Sequence, residues 1–223
     1  MHTNEPDRSP ATRGERWGYA LFALVLLGLL TGEVIRDYRP VKLSMLFITL
    51  AWIPLLAIHE AGHAAVARLL GWRVLGVVLG MGRPLWRVNV GGIPVELRAI
   101  PIEGFTLPLR RARTERGPNA REITRARLES VLVYLGGVLA ELAVLGLLAL
   151  LVGPTTLLTR TDQVGLIAAQ SFAAAALLGV VINLVPHTAQ TSHGETANDG
   201  LGVIRSLLAP TERFRELLER DPD

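Results

Sequence analysis

The sequence of 223 residues contains no cysteine, and this absence limits the kinds of site that it can build. Without cysteine there can be no disulfide framework and no thiolate metal site. Any bound metal ion must therefore be held by His, Asp or Glu side chains. Lysine is nearly absent too, because Lys42 is the only lysine among 23 basic residues.

Aromatic residues are scarce, at 5% of the chain, and this bears on how a basic segment is interpreted. Residues 73–130 contain eleven Arg and five Glu and hence carry a net charge of +6. A nucleic-acid surface is one interpretation, but no nucleic-acid motif or interleaved aromatic platform accompanies the arginines. We favour the other interpretation, in which an arginine-rich loop beside apolar spans marks the cytoplasmic side of a membrane.

Half of the residues are hydrophobic and the mean hydropathy is +0.36, which is too apolar for an ordinary soluble domain of this size. Four stretches come close to the length of about 20 apolar residues that a helix needs to cross a bilayer. They are residues 17–35, 44–70, 131–152 and 164–185. We therefore predict an α-helical multi-pass membrane protein with about four transmembrane helices.

Four spans place both ends of the chain and the basic segment on one side of the membrane, which the arginines assign to the cytoplasm. We predict a disordered cytoplasmic tail at 1–16, a membrane domain at 17–208 and a cytoplasmic tail at 209–223. The localisation that follows is the cell membrane, with both termini in the cytoplasm. The lipid bilayer is then a partner of the chain, and nucleic acid is not.

Between the second and third spans, the pattern changes from helical to extended in a β region at 73–106. The segments 74–79, 85–90 and 93–102 are rich in Val, Ile and Leu and are separated by Gly and Pro. This pattern predicts short strands joined by turns. We expect them to form a small sheet at the membrane surface.

The second span contains the sequence His59-Glu60-Ala61-Gly62-His63. Residues four apart share one face of a helix, so both imidazoles can bind one metal ion while Glu60 lies beside the open coordination position. H-E-x-x-H is a zinc-peptidase pattern for that reason. An ionisable side chain costs about 2.5 to 3.5 kcal/mol within a membrane span, so three in five residues indicate function. The alternatives are core histidines with satisfied hydrogen bonds beside a Glu60 that reaches the interface, and a soluble zinc peptidase, which leaves the apolar spans unexplained.

A hydrolytic zinc site normally has three protein ligands and an open water position, so one more ligand is needed. The candidates are Glu141 in the third span and His187, His193, Glu195 and Asp199 after the fourth. Asp199 precedes an apolar run at 201–208 that could re-enter the helical bundle. The Asn-Asp-Gly sequence at 198–200 is equally typical of a plain turn, and the local pattern leaves both interpretations open.

The chain resembles the site-2 protease family of intramembrane zinc metalloproteases, which combine H-E-x-x-H with a later N-x-x-P-x-x-x-x-D-G motif. The second motif is matched here by Asn183 and Pro186, followed by Asp199 and Gly200. Twelve residues separate Pro186 from Asp199, whereas the family pattern has four. The resemblance also covers the glycine-containing turn at 80–84 and the stretch at 100–105, where family members present a strand edge to an extended substrate.

The resemblance implies a zinc endopeptidase that cuts a transmembrane protein substrate in or next to its membrane span. One Zn²⁺ per chain would be held by His59, His63 and Asp199, with Glu60 as the catalytic base. Glu141 replaces an Asn that the family often has in its third core helix. It is either a polar contact near the site, which we favour, or a structural group that carries a proton.

Two other functions are consistent with a zinc site in a membrane. One is a non-proteolytic zinc-binding scaffold or regulator, and the other is a metal transporter that uses the same polar cluster. The presence of Glu60 argues against a scaffold, because a scaffold needs the metal ligands but not the base. The sequence does not indicate an oligomeric state.

Overall fold

The computed structural model describes residues 13–110, 118–191 and 194–219, and most of them are helical. The helices are α1 (Arg13–Arg36), α2 (Leu43–Leu69), α3 (Ala120–Val152), α4 (Pro154–Leu158), α5 (Val164–Leu184), α6 (Asp199–Leu208) and α7 (Thr211–Glu219). The strands are β1 (Arg73–Val90), β2 (Ile93–Leu109), β3 (Thr188–Thr191) and β4 (Gly194–Ala197).

Three of the described helical segments are long and apolar enough to cross a membrane, namely Pro40–Leu69, α3 and α5. They match the second, third and fourth predicted spans to within a few residues, except that α3 also includes the basic residues before its span. The predicted first span lies inside α1, and its passage through a membrane stays a prediction. Helix α1 already begins at Arg13, within the tail predicted at 1–16, the rest of which lies outside the described residues.

Small residues bring α2 close to its neighbours. A Cβ atom added at Gly136 of α3 would lie 2.8 Å from the carbonyl oxygen of Gly62 in α2, so the two backbones touch there. Farther toward its N-terminus, α2 packs against α5 through the buried residues Ala51, Leu55, Ala175 and Ala176. Such contacts between small residues allow the close helix packing that is typical of membrane bundles.

Two long antiparallel strands replace the three short strands that the sequence predicted. Near the tight turn of the hairpin, Val88 lies opposite Val95, whereas Val77 is paired with both Val95 and Thr106. The bent strands therefore supply four sheet segments, in the order 84–90, 93–98, 77–79 and 104–109. The chain bends without leaving the sheet because Gly80 has a φ of +97°, which residues with a side chain rarely adopt.

The sheet segment 104–109, called the outer sheet segment below, and the residues just before it lie along α2. The indole nitrogen of Trp52 donates to the carbonyl oxygen of Ile102 over 3.3 Å, and the hydroxyl of Thr106 donates to the carbonyl oxygen of Glu60 over 3.0 Å. Residues 52 and 60 are about 12 Å apart along a helix. Residues 102–106 consequently run beside the apolar part of α2.

The segment predicted as a C-terminal tail is folded over much of its length. Phe214 and Leu218 of α7 are buried against the first turns of α3. The guanidinium group of Arg127, also in α3, donates to the carbonyl groups of Ser206 and Leu207 at the end of α6 and lies 5.0 Å from the Phe214 ring. These contacts hold α6 and α7 on the same end of α3.

The close contact between α2 and α3 predicts that two alanine substitutions in α3 change thermal stability differently. Gly136→Ala should lower the thermal midpoint of the purified protein in detergent, because overpacking of this kind costs about 1 to 3 kcal/mol. Gly146→Ala is the matched control, since a Cβ there meets nothing within 4 Å. Its midpoint should stay unchanged or rise, because alanine favours a helix over glycine. Equal midpoints for both variants would contradict the described packing.

Candidate metal centre

Three side chains from two distant parts of the chain meet in the interior of the bundle. His59 and His63 lie one turn apart on α2, and Asp199 is the first residue of α6. Their potential ligand atoms all lie within 4.8 Å of one another. The two Nε2 atoms are 3.0 Å apart, and the Asp199 carboxylate oxygens lie 3.0 Å from Nε2 of His59 and 3.3 Å from Nε2 of His63. All three residues are buried.

The other ring nitrogen of each imidazole faces a polar group. Nδ1 of His63 is 2.6 Å from the carbonyl oxygen of Val133, so Nδ1 must carry the proton and donate it. Nδ1 of His59 lies 3.5 Å from both the Glu141 carboxylate and the Asn183 side-chain amide. With protons on Nδ1, both Nε2 lone pairs point toward the centre of the cluster.

Two facing lone pairs and a carboxylate repel one another unless a cation lies between them. Among the described residues, Oδ2 of Asp199 is buried without a hydrogen-bond partner, although Nε2 of His59 is close to it. An unpaired buried carboxylate oxygen is costly, whereas a metal ion would satisfy it together with both imidazoles. The donor set therefore fits a metal ion, and the three residues are positioned to bind one.

The ionisation of Asp199 suits this role. Burial raises the pKa of its carboxyl group, but when the adjacent imidazoles of His59 and His63 are protonated, their hydrogen bonds and charge lower the pKa below its ordinary value. Asp199 is also in the first turn of α6, where the helix dipole favours a negative charge. It is thus a carboxylate at neutral pH.

The twelve residues between Pro186 and Asp199 are accommodated by a β-hairpin. Strands β3 and β4 pair from Thr188 opposite Ala197, and the backbone N–H of Asn198 donates to the carbonyl of His187 over 3.1 Å. The hairpin is thereby closed at its base, and the chain re-emerges beside the end of α5. The longer spacing therefore leaves Asp199 next to the histidines.

Asn198 holds this junction together with its side chain. Its Oδ1 atom accepts from the backbone N–H groups of Leu201 and His187, at 3.1 and 3.0 Å, and so caps α6. Its Nδ2 atom donates to the carbonyl groups of Val185 and Asn183, at 2.7 and 3.0 Å. The Asn-Asp-Gly sequence is thus a helix start that is fastened to the end of α5, and the plain-turn interpretation is wrong.

Glu60 lies beside the cluster and is fastened by the sheet. Thr106 in the outer sheet segment directs its hydroxyl oxygen to within 2.8 Å of the Glu60 carboxylate and 3.0 Å of its carbonyl oxygen. A Cβ atom added at Gly104 would lie 2.8 Å from that carboxylate, so only glycine leaves room for it. Glu60 is 4% exposed, and the hydrogen bond from Thr106 fixes the direction of its carboxylate.

The other sequence candidates occupy different places. Glu141 is buried beside His59, on the side away from the converging Nε2 atoms. His187 is exposed, and its Nδ1 atom lies 2.9 Å from the carbonyl oxygen of Val185 and 3.0 Å from the side chain of Asn198. Glu195 lies in β4. His193 lies outside the described residues.

Two residues of this site are not predicted by the sequence pattern. Thr106 contacts a residue 46 positions away, and nothing in its neighbours along the chain indicates that contact. Asn198 does carry a signal, because Asn is a preferred N-cap and an apolar run follows it. This N-cap signal points to Asn198, although residues 198–200 are also typical of a turn.

Comparison with known proteins agrees with this geometry. A family model described as "Peptidase family M50" matches residues 47–215. "Putative zinc metalloprotease CPE1693" of Clostridium perfringens (strain 13 / Type A) is 41% identical over 61 residues, which are 27% of this chain and 18% of that protein. "Putative zinc metalloprotease slr1821" of Synechocystis sp. is 43% identical over 51 residues, which are 23% of this chain and 14% of that protein. Both matches thus span less than a fifth of the relative's length.

The geometry predicts which of the competing residues after α5 holds the metal. Asp199→Ala should reduce the metal content of the purified protein well below one ion per chain, because two imidazoles remain. His187→Ala is the matched control and should keep the wild-type content, since this side chain faces the hairpin base. Metal analysis of both variants by mass spectrometry distinguishes them. A loss with His187→Ala and none with Asp199→Ala would overturn the assignment.

Proposed function

The chain belongs to peptidase family M50, and from this premise we propose that it is an intramembrane zinc endopeptidase. Its substrate would be a membrane protein that it cuts in or next to a transmembrane segment. The observation that carries the proposal is the buried convergence of His59, His63 and Asp199 inside a set of apolar helices, with Glu60 beside it. Two imidazoles and one carboxylate form a donor set that zinc binds, and they leave a fourth position open.

The outer surface of the helices supports a location in the bilayer. Leu147, Leu150 and Leu151 near the end of α3 are 55%, 85% and 75% exposed. Water-exposed apolar surface of this kind is unfavourable in a soluble monomer, whereas lipid chains cover it at no such cost. The ionisable residues of the site face inward instead, as functional groups in membrane helices generally do.

The hydrolytic step would combine a bound metal ion with a carboxylate base. Zinc would supply a Lewis acid that polarises the scissile carbonyl and lowers the pKa of water toward neutrality. Glu60 would take the proton of the attacking water and deliver it to the leaving amine. The Thr106 hydroxyl binds one Glu60 carboxylate oxygen and leaves the other free for this transfer. No covalent intermediate with the protein is needed.

The same sheet segment would hold the substrate. A transmembrane helix hides its backbone in internal hydrogen bonds, so the substrate must unwind before a peptide bond can reach the metal. Segment 104–109 pairs with β1 along one edge and contacts Glu60. An unwound substrate could add to its other edge as an extended strand.

We also place the active site on the cytoplasmic side. The proposal rests on the arginines of residues 73–130, which follow α2. The histidines lie in the C-terminal half of α2, the half that leads into this basic segment. Both chain ends would then face the cytoplasm, provided that α1 also crosses the membrane.

The base assignment predicts that Glu60→Gln separates metal binding from catalysis. The variant should retain zinc but lose at least about 100-fold in cleavage rate, because the amide cannot accept the water proton. The rate is measured with purified protein in detergent on single-span test substrates whose spans contain Gly or Pro. Glu216→Gln, an exposed change on α7, is the control and should cleave at the wild-type rate. Cleavage by Glu60→Gln at that same rate would contradict the proposal.

The orientation can be tested directly because the chain has no native cysteine. Asp162→Cys, before α5, should react with a membrane-impermeant maleimide in sealed right-side-out vesicles. Glu212→Cys, in α7, should react only after the vesicles are opened with detergent. Both residues are exposed, so a difference in labelling reports the side of the membrane. The reverse pattern would place the basic segment outside the cytoplasm.

A further inference from the structure

We propose that Glu141 is a positioning residue, whose carboxylate accepts the Nδ1 proton of His59 and thereby holds Nε2 toward the metal. This inference rests on the zinc site proposed above and extends it to a residue behind the ligands. Glu141 is 3% exposed, and its Oε1 atom is 3.5 Å from Nδ1 of His59. No cation from Lys or Arg contacts it among the described residues.

Two glycines form the slot in which these side chains face each other. A Cβ atom added at Gly137 would lie 2.5 Å from the His59 ring, so the imidazole rests directly on the backbone of α3. A Cβ atom added at Gly179 of α5 would lie 2.9 Å from Oε1 of Glu141. Gly137 and Glu141 are four residues apart and share one face of α3. The helices therefore fit this pair closely.

A purely structural role explains Glu141 poorly. Its Oε2 atom is buried without a hydrogen-bond partner among the described residues, and a carboxylate in that state is unfavourable for folding. An apolar side chain of similar size would avoid that cost. The orientation of His59 is a reason to keep the carboxylate, because metal-bound histidines generally give their second N–H to such an acceptor.

His63 supplies an internal comparison. Its Nδ1 proton goes to the carbonyl oxygen of Val133, a backbone group of α3. Among the residues that the structure describes, the side chains of Glu141 and Asn183 reach Nδ1 of His59, and no backbone carbonyl does. The Asn183 atom that reaches Nδ1 is the amide nitrogen Nδ2, which donates hydrogen bonds and cannot accept a proton, so Glu141 is the acceptor of the two.

The test measures zinc affinity and uses no substrate. The full chain in detergent is titrated with zinc in competition with a chromophoric chelator. Glu141→Leu should weaken zinc binding about 10- to 100-fold, the usual effect of losing such a partner, and Glu141→Gln should lie between this variant and wild type. The thermal midpoint of the metal-free protein should stay near that of wild type in either variant, because removing the buried carboxylate offsets the loss of its contact with His59.

Two further variants make the result decisive. Ser171→Ala is the matched control. It removes a hydroxyl group of α5 that, like Oε2 of Glu141, is buried without a hydrogen-bond partner among the described residues, and it should leave zinc affinity unchanged. Asn183→Leu tests the other side chain that reaches Nδ1 of His59 and should weaken zinc binding less than Glu141→Leu does. If Glu141→Leu binds zinc as tightly as wild type, or if only Asn183→Leu loses affinity, the inference is wrong. If wild type itself binds no zinc, the proposed function fails instead.

Discussion

The close approach of α2 to α3 is the contact on which the rest of the site depends. Gly62 and Gly136 let the two backbones touch, and Gly137 lets the His59 ring lie against α3. A side chain at any of these positions would push the helices apart and withdraw the imidazoles from their acceptors. The helix that supplies the ligands is therefore oriented by the helix that receives their Nδ1 protons.

The remaining parts of the site are attached to this pair of helices at separate points. Asn198 ties the start of α6 to the end of α5 and so delivers Asp199 to the histidines. Thr106 ties the bent sheet to Glu60. Each attachment is one polar side chain in contact with backbone or carboxylate oxygen atoms. In an apolar environment such a contact is strongly favoured, because no water competes for the same groups.

Local pattern predicted much of this fold. The apolar stretches at 44–70, 131–152 and 164–185 correspond to long helices, since length and composition are sufficient to identify them. The pattern also predicts the β region, but the predicted strands are shorter than those in the structure. Gly and Pro usually mark turns, whereas here Gly80 bends a strand that continues to pair on both sides. Pairing with a distant segment decides that outcome.

By itself the sequence determined that His59, Glu60 and His63 share one apolar helix, because a spacing of four fixes the relative direction of side chains within a helix. Only the tertiary structure decided that Asp199, and not His187, lies beside them, since the strands β3 and β4 separate Asp199 from Pro186 along the chain and their pairing brings it back. It likewise decided that Thr106 touches Glu60 and that Glu141 faces His59. These relations depend on how helices and strands far apart in the chain pack together, and no local spacing encodes that.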